Sequence, residues 1–214
     1  MKKFLVAICA MVLSAPAFAQ YSSGGFTLDE ENMYWGIRVG LSNAHMAGNK
    51  GFSLNSRGGL TLGGVVGLRC SNSVPVFLES GVYYTEKGGK KDWAKARLSY
   101  MEIPVLIKYG VKISETVPGL KDMAVIPFFG PTFSFGVGGK TEVGAAGVTE
   151  KWDSFSSRRF SRFDLGLKGG VGIEYNMIYL ELGYQWGLTN ISQNELIPQD
   201  AFNRAFFLNF GVNF

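Results

Sequence analysis

The last ten residues, AFFLNFGVNF, alternate in character. Phe206, Leu208, Phe210, Val212 and Phe214 share one parity, and Ala205, Phe207, Asn209, Gly211 and Asn213 share the other. A strand turns successive side chains to opposite faces, so this segment has one greasy face and one mostly small or polar face. In water a bare apolar strand is an edge that invites pairing with other chains. In a lipid bilayer it is admissible if it closes a barrel, because the last strand then pairs with the first and no backbone group is left over.

Seven further segments follow the same rule, near 33–43, 60–70, 76–87, 97–111, 124–138, 162–175 and 178–189. With 204–214 they make eight, an even number, and most exceed the ~9–11 residues that a tilted strand needs to cross the hydrocarbon. Their apolar register carries, for example, Trp35, Ile37, Val39 and Leu41 in the first segment and Ile178, Leu180, Leu182, Tyr184 and Trp186 in the seventh. Every mid-strand charge lies on the opposite register: Arg38, Arg69, Glu79, Glu102, Lys108, Asp164, Lys168, Glu174 and Glu181. The expected fold is all-β, an eight-stranded antiparallel up-and-down transmembrane barrel with a filled polar lumen.

Alternation alone does not say which register points inward. The apolar register holds Trp35, Phe129, Phe133, Phe135, Trp186, Phe206 and Phe210, too much bulk for the inside of eight strands. The polar register holds Gly63, Gly67, Gly81, Gly166, Gly170, Gly172, Gly183, Gly187 and Gly211. Glycine weakens a strand, so a water-facing wall has no use for it and a crowded lumen does. The apolar register therefore faces lipid. The 29 glycines, 14% aromatic and 18% charged residues fit such a barrel better than a helical enzyme.

Residues 1–19 read as a secretory signal: Lys2 and Lys3, an apolar run from Phe4 to Leu13, and small residues up to Ala19. Cys9 lies within that run, so its removal leaves Cys70 as the sole cysteine and no internal disulfide. Residues 20–32, rich in Ser and Gly and then acidic, read as a flexible periplasmic tail, and 33–214 as one barrel domain. The expected location is the outer membrane.

The fourth segment reads YMEIPVLIKYGV, from Tyr100 to Val111. It resembles the corresponding strand of the PorT-like outer-membrane β-barrel family, as do FLESGVYYTEKG from Phe77, PFFGPTFSFGVG from Pro127, RFDLGLKGGVGIEY from Arg162 and LELGYQWGLTNI from Leu180. The resemblance spans the whole mature chain. It implies an eight-stranded outer-membrane barrel and a link to protein secretion, and it supplies no catalytic residues.

Nine lumen charges, four basic and five acidic, read either as an ion path or as a near-neutral network that plugs a narrow barrel; unpaired buried charge is costly, which favours the plug. Catalysis has little to build on. The one histidine, His45, has Ser42 and Ser53 nearby in sequence but no carboxylate in its own loop, so Asp92 or Asp153 would have to orient it. With one histidine and no cysteine pair, no metal site or other cofactor is expected.

The long connections expected at 44–59, 88–96, 139–161 and 190–203 carry more net positive charge than the mature chain as a whole. Lys90, Lys91, Lys95, Arg158 and Arg159 read either as contacts to lipopolysaccharide phosphates or as ordinary solvated loop residues. Aromatic residues near strand ends read as an interfacial girdle: Tyr34, Trp35, Tyr83, Tyr84, Trp93, Tyr100, Tyr109, Tyr175, Tyr179, Trp186 and Phe214. Pro104, Pro127 and Pro131 predict bulges or locally broken pairing. Phe214 is expected to serve as an assembly signal.

The expected role is non-enzymatic: structural, surface-interactive or secretion-supporting. The alternatives are a rim enzyme acting on lipid A or peptide, and a narrow pore. Expected partners are outer-membrane lipid and lipopolysaccharide, the barrel assembly machinery and secretion-system components, with no nucleic acid.

Overall fold

A computed structural model describes residues 32–48, 53–71, 73–91, 94–113, 123–145, 148–155, 160–193 and 200–214. The expected signal and nearly all of the tail lie outside these residues. The strands are β1 (Met33–Ala47), β2 (Ser53–Arg69), β3 (Val76–Lys91), β4 (Ala94–Tyr109), β5 (Val111–Lys112), β6 (Met123–Ala145), β7 (Val148–Asp153), β8 (Phe163–Tyr175), β9 (Ile178–Gly187) and β10 (Phe202–Asn213).

Eight of them form a ring, each antiparallel to its neighbours, in the order β4, β3, β2, β1, β10, β9, β8, β6 and back to β4. The two-residue β5 adds to the edge of β6, and β7 pairs with β6 outside the ring. At the seam β1 meets β10, and the terminal residue takes part: Trp35 N donates to Phe214 O at 3.0 Å and Phe214 N to Trp35 O at 2.8 Å. Asn176, in the left-handed region at φ 52°, and Met177 make the tight turn between β8 and β9. Short turns mark the periplasmic end, so the long strand extensions point outside the cell.

The orientation of the registers is as expected. Leu41, Ile107, Phe129, Leu182, Phe206 and Phe210 stand exposed on the outer wall, while Arg38, Glu79, Glu102, Lys108 and Glu181 are buried inside. Lumen glycines make room for rings from the neighbouring strand. A Cβ on Gly67 would enter the ring of Tyr34, its cross-strand partner; Gly63 and Tyr83, and Gly183 and Phe207, repeat the arrangement.

The strands run further than the hydrophobic pattern indicates. Much of 44–59 and most of 88–96 and 139–161 is strand, as β1, β2, β3, β4, β6 and β7 continue outward. In this outer region the pattern inverts. Met46, Leu54, Ala96 and Leu98 point in and are buried, while Lys90, Arg97 and Lys140 point out and are exposed. Water has replaced hydrocarbon outside the wall, so the apolar side chains move to the interior, as in a soluble barrel.

The prolines break the pairing locally. The β3–β4 ladder skips from Ser80–Val105 to Tyr83–Glu102 across Pro104, and Ser80 Oγ donates to Pro104 O at 2.8 Å. The β4–β6 ladder skips from Pro104–Thr132 to Ile107–Phe129 beside Pro131. Both Pro127 and Pro131 stay in unbroken register with β8. A residue's N–H points to one neighbour only, so proline interrupts one ladder and spares the other. The register shift on β4 falls elsewhere, at Ser99 and Tyr100.

Candidate functional site

The lumen is filled from end to end. At its periplasmic end Tyr34, Val65, Phe77, Ala124, Ile126 and Tyr179 pack together with Tyr83. At its outer end Met46, Leu54, Leu98, Tyr100, Phe155 and Ile191 form a second apolar cluster with Ala96 and Ala201. The Phe155 side chain comes from beyond β7 and meets Tyr100 edge to face, 5.7 Å between centroids.

Between these stoppers lie two groups of charges. In the inner group Lys108 Nζ is 2.9 Å from Glu79 and 3.7 Å from Glu181, and Arg38 is 3.6 Å from Glu79. Tyr34 donates to Glu79 at 2.6 Å, Asn209 to Glu181 at 2.7 Å and Asn213 to Glu174 at 2.9 Å. In the outer group Lys87 Nζ is 2.8 Å from Glu102 and 3.9 Å from Asp164, and Lys168 is 3.3 Å from Glu102. Gln185 donates to Glu102 at 3.0 Å and Asn203 to Asp164 at 2.9 Å.

Arg69 sits near the periplasmic rim, where its guanidinium donates to Ser71 O at 2.9 Å and lies 5.5 Å from the Phe77 ring centroid. Lys87, the last residue of the expected third strand and not one of the nine expected lumen charges, belongs to the network and is buried. Lys87 shares the parity of Glu79 and Tyr83, so carrying the alternation to the end of that strand would have found it. Four of the expected girdle residues, Tyr34, Tyr83, Tyr100 and Tyr179, are likewise buried in the lumen, because they too lie on the inward register. Trp35, Tyr84, Tyr109, Tyr175, Trp186 and Phe214 do face outward, and Trp35 stacks on Phe214 at 4.5 Å. Trp93 lies outside the described residues.

Among the described residues no triad assembles around His45. Its ring is on the outer wall, 6.5 Å between centroids from Tyr184, whereas Ser42 is buried on the inward register and donates to Glu86 O at 2.8 Å. Asp153, in β7, accepts from Phe155 N at 2.8 Å. Asp92 and the Ser53 side chain lie outside the described residues. Among the described residues no group of acidic, histidine or cysteine side chains could hold a metal ion.

The outward extension is a different surface. On its water-facing side Lys90 lies directly opposite Lys95, and Arg97 directly opposite Lys140. Like charges directly opposite each other destabilise a sheet. Two acids temper the face: Glu142 lies opposite Lys95 and 3.2 Å from Lys151, and Asp153 lies opposite Lys140. The hydrogen bond from Lys151 holds the Glu142 carboxyl below the usual carboxylate range. Five basic residues thus face two acidic ones on one exposed patch. Lys91 stands exposed at the end of β3; Arg158 and Arg159 lie outside the described residues.

The outer membrane protein beta-barrel domain family matches residues 18–193. No curated protein matches the chain in sequence. Among solved structures it is similar to Ail, the attachment invasion locus protein of Yersinia pestis, at 11% identity and a TM-score of 0.51, over 86% of this chain and 100% of that one. It is also similar to Neisserial surface protein A at 15% identity and a TM-score of 0.50, over 86% of this chain and 98% of that one. Such low identity shows the fold alone.

Proposed function

The chain belongs to the outer membrane protein beta-barrel domain family, and from that premise we propose that it is a sealed, non-enzymatic surface barrel whose basic outer sheet contacts lipopolysaccharide phosphates. It is an integral outer-membrane protein. The observation that carries the reading is the cross-strand pairing of Lys90 with Lys95 and of Arg97 with Lys140. An arrangement that repels itself is relieved by a bound anion, and each basic residue near an anionic lipid surface contributes about 1 kcal/mol.

Two apolar stoppers with paired charges between them count against a pore, and the separation of His45 from Ser42 counts against a rim hydrolase. The test is binding of purified barrel to lipopolysaccharide-coated surfaces at rising salt. Wild type should bind and lose affinity as salt screens the phosphates. A Lys95→Gln, Arg97→Gln variant should bind weakly at every salt concentration. Equal binding by the two proteins would sink the proposal, as would steady unitary conductance in planar bilayers for the sealed lumen.

A second role, support of protein export, rests on the YMEIPVLIKYGV strand and its resemblance to PorT-like barrels. Crosslinking from Lys90 in intact cells would recover a secretion component if that role applies.

A further inference from the structure

The basic sheet stands clear of the bilayer, and its height selects the anion it can reach. Tyr84, Met101 and Phe135 are cross-strand partners on the outward register and form an apolar row near the top of the wall, with Val137 just above it. The Tyr84 hydroxyl donates to Ser99 Oγ at 3.0 Å, one row further out. A tyrosine with its ring against apolar neighbours and its hydroxyl among polar ones marks the edge of the hydrocarbon.

Two residues beyond that row the same three strands present Glu86, Ser99 and Gly138. The wall groove where β2 and β3 part carries Glu86 in its lining, beside Leu60 and Phe206. The Glu86 carboxylate lies 3.5 Å from Arg57. At the headgroup level these strands therefore offer a carboxylate and a hydroxyl, a poor reception for a phosphate. Arg97 and Lys140 follow two residues further out, and Lys90 and Lys95 two beyond them.

A strand advances ~3.4 Å per residue and barrel strands tilt by ~40°, so the two basic pairs stand roughly 10 and 15 Å above the tyrosine row. The polar layer of a leaflet is only ~5–8 Å deep. The basic pairs thus lie above the plane of lipid A phosphates, at the height of the sugars that lipid A carries. We propose, resting on the lipopolysaccharide contact above, that the sheet takes phosphate groups of the core oligosaccharide and not those of lipid A. Neighbouring strands are ~4.8 Å apart and alternate residues ~7 Å, so Lys90, Lys95, Arg97 and Lys140 frame one patch the size of a phosphorylated sugar. Arg97 can meet a phosphate bidentately, and the lysines add point charges around it.

The test measures binding of the purified full chain in detergent to three immobilised lipopolysaccharides at one salt concentration, with folding verified by heat-modifiable gel migration. The first carries a complete phosphorylated core. The second is deep-rough, with both lipid A phosphates and a core cut back to its innermost sugars. The third has a complete core from a strain that cannot phosphorylate it. On the first, Lys95→Gln, Arg97→Gln should bind about 25-fold more weakly than wild type, at about fivefold for each basic residue. On the second and third, the variant and wild type should bind equally. An equal loss on the phosphorylated-core and deep-rough forms would overturn the assignment to the core while the lipopolysaccharide contact stands. A full loss on the third form would show that core phosphate is not the anion and would overturn it too. No loss on any form would remove both this assignment and the lipopolysaccharide contact.

Discussion

Lys87 and Lys90 are three residues apart and carry the same charge, yet their replacement should have very different consequences. Lys87 is 2% exposed and its ammonium lies 2.8 Å from Glu102 and 3.9 Å from Asp164. Lys90 is exposed on the outer sheet. Removing one partner of a buried ion pair typically costs ~3–5 kcal/mol, because the other charge is left without compensation. Glu102 would keep Lys168 at 3.3 Å, Gln185 at 3.0 Å and Ser134 at 3.2 Å, and Asp164 would keep Asn203 at 2.9 Å. Lys87→Ala should therefore fall at the lower end, about 3 kcal/mol. Lys90→Ala removes a residue facing Lys95 and should change stability by less than about 0.5 kcal/mol, with relief of repulsion as the expected sign.

The assay is urea unfolding of the barrel reconstituted in phospholipid vesicles, followed by tryptophan fluorescence and by heat-modifiable gel migration. With a urea slope of ~2 kcal/mol/M, the Lys87→Ala midpoint should fall by about 1.5 M while that of Lys90→Ala stays close to wild type. Equal midpoints for the two variants would refute the placement of Lys87 in the lumen and with it the outward extension of β3.

Three further outcomes follow from the wall and its ends. Gly67→Ala puts a methyl group into the Tyr34 ring and should cost ~1–3 kcal/mol, whereas Gly64→Ala, on the open outer face of the same strand, should be close to neutral in the same unfolding assay. Cys70, exposed just beyond the periplasmic end of β2, should react with a membrane-impermeant maleimide only after the outer membrane is permeabilised; labelling of intact cells would invert the topology. Deleting Phe214 removes both hydrogen bonds to Trp35 and the stacked ring, so the heat-modifiable form in outer-membrane fractions should drop sharply, and an unchanged yield would rule out a role in assembly.

The eight staves, the lipid-facing register and the inward glycines were legible in the sequence because hydrocarbon imposes a strict rule. Over the span of the bilayer each outward position must be apolar, so parity at Leu41, Leu62, Ile103 or Phe210 reports the wall directly. Once the wall leaves the bilayer that rule lapses, and residues such as Lys90, Lys95 and Lys140 look like loop while their backbone is still paired. Tertiary structure alone decided three things. It put Lys87 beside Glu102 and Asp164, and it left Arg69 at the periplasmic rim. It set Lys90 against Lys95 and Arg97 against Lys140. It opened a groove where β2 and β3 part. Alternation fixes the face on which a side chain stands, but only the register between strands fixes what stands opposite it, and residues far apart in sequence meet only when the ring closes.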